Sequence, residues 1–130
     1  MGAYARTLEF GDSVSLIHAT GDVVFTDVID FRAAAVKHYA APEIAIEIET
    51  AVDSAADGAS VNFCLQDSAD NSTFATIAQT GAIVEATLVA KYKPQLACPK
   101  SHRRYLRLIA TVSGEAVTAG AANSHLEPVA

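Results

Sequence analysis

The stretch that decides the fold is SVNFCLQDSADNSTFATIAQ, residues 60–79. Its first half alternates apolar and polar side chains, so Val61, Phe63 and Leu65 lie on one face, which is typical of a half-buried strand. Asp, Asn and Ser residues follow, and their side chains favour turns because they hydrogen-bond the local backbone. A second strand with an offset or bulge begins near Phe74. The stretch therefore predicts a β-hairpin whose turn is shaped by its acidic and amide residues, Asp67, Asp70 and Asn71.

The same period of two recurs along the chain. EIAIEIETAV, residues 43–52, places three isoleucines on one face, and RRYLRLIATV, residues 103–112, does the same with two leucines, an alanine and a valine. Further short strands are predicted in residues 7–17, 22–31, 85–92 and 116–128. About eight short strands separated by turns predict an all-β protein, an antiparallel β-sandwich or jelly roll.

The chain is expected to form one domain over residues 1–130, with residues 1–12 as a possible N-terminal arm. RAAAVKHYAAPE, residues 32–43, is the one candidate for a short helix, and an extended alanine-rich loop is an equal alternative. Charged residues make up 18% of the chain, below the ~25% of an average soluble protein. A weakly charged small domain often hides part of its surface in an assembly.

The net charge of −6 argues against a nucleic-acid-binding protein. No apolar run approaches the ~18 residues that cross a membrane, and the first residues lack the apolar core of a secretory signal, so we expect a cytosolic origin. Residues 38–90 contain eight acids and no Lys or Arg, whereas residues 91–107 contain six basic residues and no acid. This segregation is typical either of two solvated faces or of complementary surfaces that meet in an assembly.

No motif in the sequence indicates catalysis or a cofactor. The acids of the hairpin do not have the spacing of an EF-hand calcium loop. Histidines occur at positions 18, 38, 102 and 125 without zinc-site spacing, so only convergence in the folded chain could join them, and incidental histidines are expected. Cys64 and Cys98 are predicted to be reduced, mostly buried thiols. We therefore expect neither an enzyme nor a metalloprotein.

The segment PKSHRRYLRLIATV, residues 99–112, is a candidate interface. Tyr105 and Arg107 share the strand face opposite the leucines, and an exposed aromatic beside arginines suits an interface anchor. The equal alternative is that the arginines cover Tyr105 and keep the strand soluble. The candidate interface residues are Lys91, Lys93, Lys100, Arg103, Arg104, Tyr105 and Arg107.

In several stretches the chain resembles the jelly-roll capsid cement (decoration) proteins of tailed bacteriophages. The stretches are LEFGDSVSLIHATGDVVFTDVIDF (8–31), IAIEIETAV (44–52), VNFCLQDSADNSTFATIAQTG (61–81) and RRYLRLIATVSGEAVTAGAANSHLEP (103–128). Two departures stand out. Residues 32–43 replace a shorter glycine-rich link, and Phe74 stands where such proteins often have Trp.

The resemblance implies a non-enzymatic virion protein, made in the cytoplasm of the bacterial host and bound to the outer capsid surface. It would form a homo-oligomer, with a trimer favoured over a dimer, and would stabilise the shell by bridging major capsid protein subunits. The basic segment 91–107 would then meet acidic surface on the capsid or on the next subunit. The alternatives are a phage tail accessory domain or a carbohydrate-binding module in which Tyr92 or Tyr105 stacks on sugars.

Overall fold

The structure is a computed structural model and describes residues 8–127. Over this range the chain forms ten β-strands and no α-helix. The strands are β1 (Glu9–Ser15), β2 (Gly21–Val24), β3 (Ile29–Lys37), β4 (Glu43–Ser54), β5 (Ser60–Ser68), β6 (Ala75–Gln79), β7 (Ile83–Val84), β8 (Leu96–Ala97), β9 (Ser101–Ser113) and β10 (Val117–Glu127).

The strands form two antiparallel sheets. The four-stranded sheet has the order β1-β10-β4-β8, and the six-stranded sheet has the order β2-β9-β5-β6, with β3 also paired to β9 and β7 to β5. Since β2 and β3 pair with the same strand, as do β6 and β7, each sheet has four strand positions. This order is that of a jelly roll. The predicted antiparallel sandwich is confirmed, with ten strands rather than about eight because two positions are interrupted.

The core lies between the two sheets and consists of the faces that the alternation predicts. In β4 the three isoleucines are buried, in β5 Val61, Phe63 and Leu65 are fully buried, and in β9 the same holds for Leu106 and Leu108. Burial of each such side chain contributes about 1.5–3 kcal/mol. The period-two pattern therefore identified the inward face of the three central strands.

The alanine-rich segment 32–43 is neither a helix nor a loop over its first half. Residues 32–37 belong to β3, where Val36 pairs with His102 and Lys37 with Ser101 of β9. A register shift interrupts the pairing after Asp30. Pairing with β9 supplies hydrogen-bond partners for the backbone of this segment, whose own sequence has little strand propensity. Tertiary contacts therefore override the local preference.

Residues 85–92, predicted as a strand, form turns. The backbone N–H of Leu88 donates to the carbonyl of Glu85 at 2.9 Å, and the Leu88 side chain is fully buried in the core.

Residues 9–12 of the predicted N-terminal arm belong to β1, which pairs with β10, and residues 1–7 lie outside the described range. No helix in the described range is long and apolar enough to cross a membrane.

Candidate functional site

Asp67 at the end of β5 holds the start of β9. Its buried carboxylate accepts hydrogen bonds from the Arg103 side chain, at 2.8 Å from Nη2 and 3.2 Å from Nε, and from the backbone N–H of Arg103 at 2.9 Å. Burial raises the pKa of Asp67, but the hydrogen bonds and charge of Arg103 outweigh it and leave that pKa lowered. The prediction that Asp67 shapes the hairpin turn is wrong, because it joins two strands instead.

Asp70 and Asn71 do shape the turn between β5 and β6. The Asp70 carboxylate accepts hydrogen bonds from the backbone N–H groups of Ser72 and Thr73, at 2.9 and 3.0 Å, and these bonds lower the pKa of Asp70. Asn71 has a φ of 61°, in the left-handed region that asparagine tolerates well. The predicted hairpin is confirmed, including a register shift between Leu65 and Gln66.

Arg104 is likewise paired inside the chain. Its Nε and Nη2 donate to the two carboxylate oxygens of Asp30 in β3, at 2.8 and 3.0 Å. The hydrogen bond from Arg104 and that from the backbone of Arg32 lower the pKa of Asp30 to about 2. Two of the predicted interface arginines, Arg103 and Arg104, therefore stand in ion pairs within the subunit.

Arginines also cover the aromatic rings of this region. The Arg107 guanidinium lies 4.0 Å from the centroid of the Phe74 ring, and its Nε donates to Gln66 at 2.8 Å. The Arg104 guanidinium lies 5.0 Å from the centroid of the Tyr105 ring. Such cation–π contacts fix the guanidinium groups over the rings. In the isolated chain, Tyr105 is half-buried rather than freely exposed.

The predicted interface lysines differ from the arginines. Lys91, Lys93 and Lys100 are exposed, and none of them has an ion-pair partner among residues 8–127. All three lie in the connections between β7 and β9, and the backbone N–H of Lys91 ties its loop to the carbonyl of Ile48 in β4. Within residues 8–127, the cations of the basic segment without an ion-pair partner are therefore the three exposed lysines and the half-buried Arg107.

A groove of about 580 Å³ runs along β4 and β8. Its ionisable lining residues are Glu43, Glu47, Lys93, His125 and Glu127, and the described residues that line it include no Phe, Tyr or Trp. The tyrosines proposed to stack on sugars lie elsewhere. Tyr92 packs against the core and Tyr105 lies in β9, so the structure does not bring them together in this groove.

The structure brings together a cluster that the sequence analysis did not identify: His38, Cys98 and His102. Their potential ligand atoms lie within 4.8 Å of one another. Burial raises the pKa of the Cys98 thiol to about 12, and burial together with His102 lowers the pKa of His38. Both cysteines of the chain are free and buried, as predicted. The cluster has no motif because pairing of β3 with β9 joins histidines 64 positions apart.

The ten strands and their order define a jelly-roll domain. Residues 15–126 match the family model described as Bbp16, a match that runs from the end of β1 to the end of β10. The chain belongs to the Bbp16 family. No protein with a curated description matches the chain.

Proposed function

We propose that this chain is a structural virion protein that binds the outer surface of an icosahedral phage capsid and bridges its major capsid protein subunits. The observation that carries the proposal is the position of the stretches that resemble capsid cement proteins. They fall, in chain order, on β1 to the first residues of β3, on β4, on β5 to β6 and on β9 to β10, which are eight of the ten strands and come from both sheets. The resemblance thus extends over most of the jelly roll, although it leaves out β7, β8 and the second half of β3.

The surface supports a refined position for the capsid contact. Because Arg103 and Arg104 are already paired with Asp67 and Asp30, reversal of their charges would disturb the subunit itself. The exposed lysines are free of such pairing among the described residues. We therefore assign the attraction toward an acidic capsid or subunit surface to Lys91, Lys93 and Lys100.

Apolar side chains accompany two of these lysines. Val84 and Val89 are 57% and 53% exposed, and both lie in the segment 84–93 that also carries Lys91 and Lys93. Exposed apolar residues rimmed by charge are typical of protein-binding surfaces. The segment 84–93 is therefore the proposed contact with the capsid, and the chain would occupy its site as a homo-oligomer, a trimer or a dimer.

The test is binding to empty shells assembled from the cognate major capsid protein. The full chain is mixed with the shells, the shells are sedimented, and bound protein is quantified and located by cryo-electron microscopy. Saturable binding with density on the outer surface between neighbouring capsid subunits is the expected result. Absence of co-sedimentation at saturating protein, or density on the tail alone, would refute the proposal. Binding to a glycan array, together with no binding to the shells, would favour a carbohydrate-binding module instead.

A further inference from the structure

Two histidines and a cysteine converge where the two sheets meet at one edge of the sandwich. His102 lies in β9 of the six-stranded sheet, and His38 directly follows β3 of the same sheet. Cys98 directly follows β8, the edge strand of the four-stranded sheet, and its backbone N–H donates to the carbonyl of Pro42 at 2.9 Å. Strand pairing from both sheets therefore positions the three side chains.

The rings are oriented by contacts outside the cluster. His102 Nδ1 lies 2.7 Å from the carbonyl oxygen of Arg103, and because a carbonyl only accepts, this nitrogen carries the proton. The Nε2 lone pair of His102 then points toward His38, whose Nε2 lies 2.7 Å away. The Phe31 ring makes edge contacts with both imidazoles, at centroid distances of 4.7 and 5.8 Å. A histidine that donates through one nitrogen to a carbonyl and offers the other is the usual arrangement of a metal ligand.

We propose that His38 Nε2, Cys98 Sγ and His102 Nε2 bind one zinc ion, with a water molecule as the fourth ligand. Two imidazoles and a thiolate suit zinc, whereas calcium and magnesium prefer oxygen ligands. Nitrogen ligands of a tetrahedral zinc ion lie about 3.3 Å apart, so the two imidazoles need to separate by only about 0.6 Å. His38 is half-buried, which leaves a path from solvent.

Binding changes the protons of the cluster in a defined way. The Cys98 thiol, which donates to the carbonyl of Pro99 at 3.3 Å, loses its proton to solvent as the zinc–sulfur bond forms. His38 gives up the contact with His102 and takes its remaining proton on Nδ1. The carboxylates bonded to the first half of β9, Asp67 and Asp30, are engaged by Arg103 and Arg104, so a solvent water rather than an acid completes the site.

The ion would join the two sheets. Cys98 follows β8 of the four-stranded sheet, and the two histidines lie in or beside strands of the six-stranded sheet, so a bound zinc ion would link the two sheets. It would also secure β8, which pairs with β4 at only two residue pairs. Because the site is assembled only in the folded chain, zinc binds the native state and raises the melting temperature.

The experiment uses the full chain, reduced and stripped of metal, titrated first with Co²⁺ as a spectroscopic probe and then with Zn²⁺. We expect one ion per chain, a thiolate-to-cobalt charge-transfer band that Zn²⁺ abolishes, and a higher melting temperature with zinc. Cys98→Ser removes the band, and His38→Ala and His102→Ala each weaken binding by at least ~10-fold. The matched controls, Cys64→Ser and His18→Ala, bind as the unchanged chain does.

The proposal is overturned if the unchanged chain shows no thiolate–cobalt band, or if the band survives Cys98→Ser and disappears in Cys64→Ser. Circular dichroism without metal confirms that each variant folds. X-ray absorption of the zinc-loaded unchanged chain gives a test that needs no variant. One sulfur at about 2.3 Å with nitrogen or oxygen ligands at about 2.0 Å is expected, and a shell without sulfur contradicts the site.

Discussion

Arg104 in β9 donates two hydrogen bonds to Asp30 in β3, from Nε to Oδ1 at 2.8 Å and from Nη2 to Oδ2 at 3.0 Å. This two-point contact fixes the point where the pairing of β3 with β9 shifts register. The arginine that the sequence analysis placed in an intermolecular interface thus has a partner within its own chain. The contact also gives the fold a measurable dependence on acid.

The Asp30 contact predicts a loss of stability at low pH. The folded-state pKa of Asp30 is lowered to about 2 from an ordinary value of 3.8, so its contribution is complete above pH 4 and is lost as the pH falls toward 2. Asp30→Asn should flatten this part of the pH profile of the free energy of unfolding, as measured by urea denaturation. Asp27→Asn, an exposed aspartate without an ion pair among residues 8–127, is the control. Equal profiles for the two variants would contradict the role of Asp30.

The Asp67 contact predicts a difference between two neighbouring aspartates. Asp67→Ala leaves the partly buried backbone N–H of Arg103 without its acceptor and should lower the free energy of unfolding by about 2 kcal/mol. Asp70→Ala removes hydrogen bonds from an exposed turn and should cost less. Chemical denaturation of both variants measures the difference. A larger loss for Asp70→Ala would show that the turn, not the strand contact, stabilises this end of the sandwich.

Two glycines with the same backbone conformation predict different costs of substitution. Gly81 and Gly114 have φ values of 83° and 85°, but an added Cβ meets nothing within 4 Å at Gly81 and collides with the Gly58 carbonyl oxygen at Gly114. Gly81→Ala should cost about 1 kcal/mol from the left-handed conformation alone. Gly114→Ala should cost clearly more, because backbone must move. Thermal unfolding of both variants measures the loss in melting temperature. An equal loss for the two would contradict a close approach of the Gly58 backbone to Gly114 in the turn between β9 and β10.

The proposed capsid contact predicts variants that lose binding but keep stability. Lys91→Glu and Val84→Asp change exposed side chains in the segment 84–93, so the melting temperature should stay close to that of the unchanged chain. Occupancy on cognate shells should fall by at least ~5-fold for each, since charge reversal and a desolvated carboxylate both oppose binding. Lys37→Glu reverses an exposed lysine in β3, outside that segment, and should bind normally. Unchanged occupancy with all three variants would place the contact elsewhere.

The sequence predicted most of the side chains that form the core of this protein. The alternation in residues 43–52, 60–68 and 103–112 predicted the buried faces of β4, β5 and β9, because a strand in a sandwich exposes every second side chain to the core. Asp70 and Asn71 predicted the hairpin turn through chemistry that acts within a few residues. These features depend on neighbours close in the chain.

Other features could not be read from local pattern. The alanine-rich segment 32–37 is a strand because β9 lies beside it, and residues 85–92 turn although their pattern alternates. That Arg103 and Arg104 are neutralised within the chain could not be predicted, because their partners, Asp67 and Asp30, lie 36 and 74 residues away. Strand order and register decide such contacts, and no short window of sequence contains them.

The sequence by itself determined a β-sandwich, its inward faces and its central hairpin, since burial with a period of two is a local property of the chain. Only the tertiary structure decided which charges stay free and which side chains meet. It paired Arg103 and Arg104 with acids and left the lysines exposed, and it brought His38 together with Cys98 and His102, which lie about 60 residues further along the chain. The physical reason is that the pairing of β3 with β9 and of β8 with β4 sets these distances, and that pairing joins residues remote in the chain.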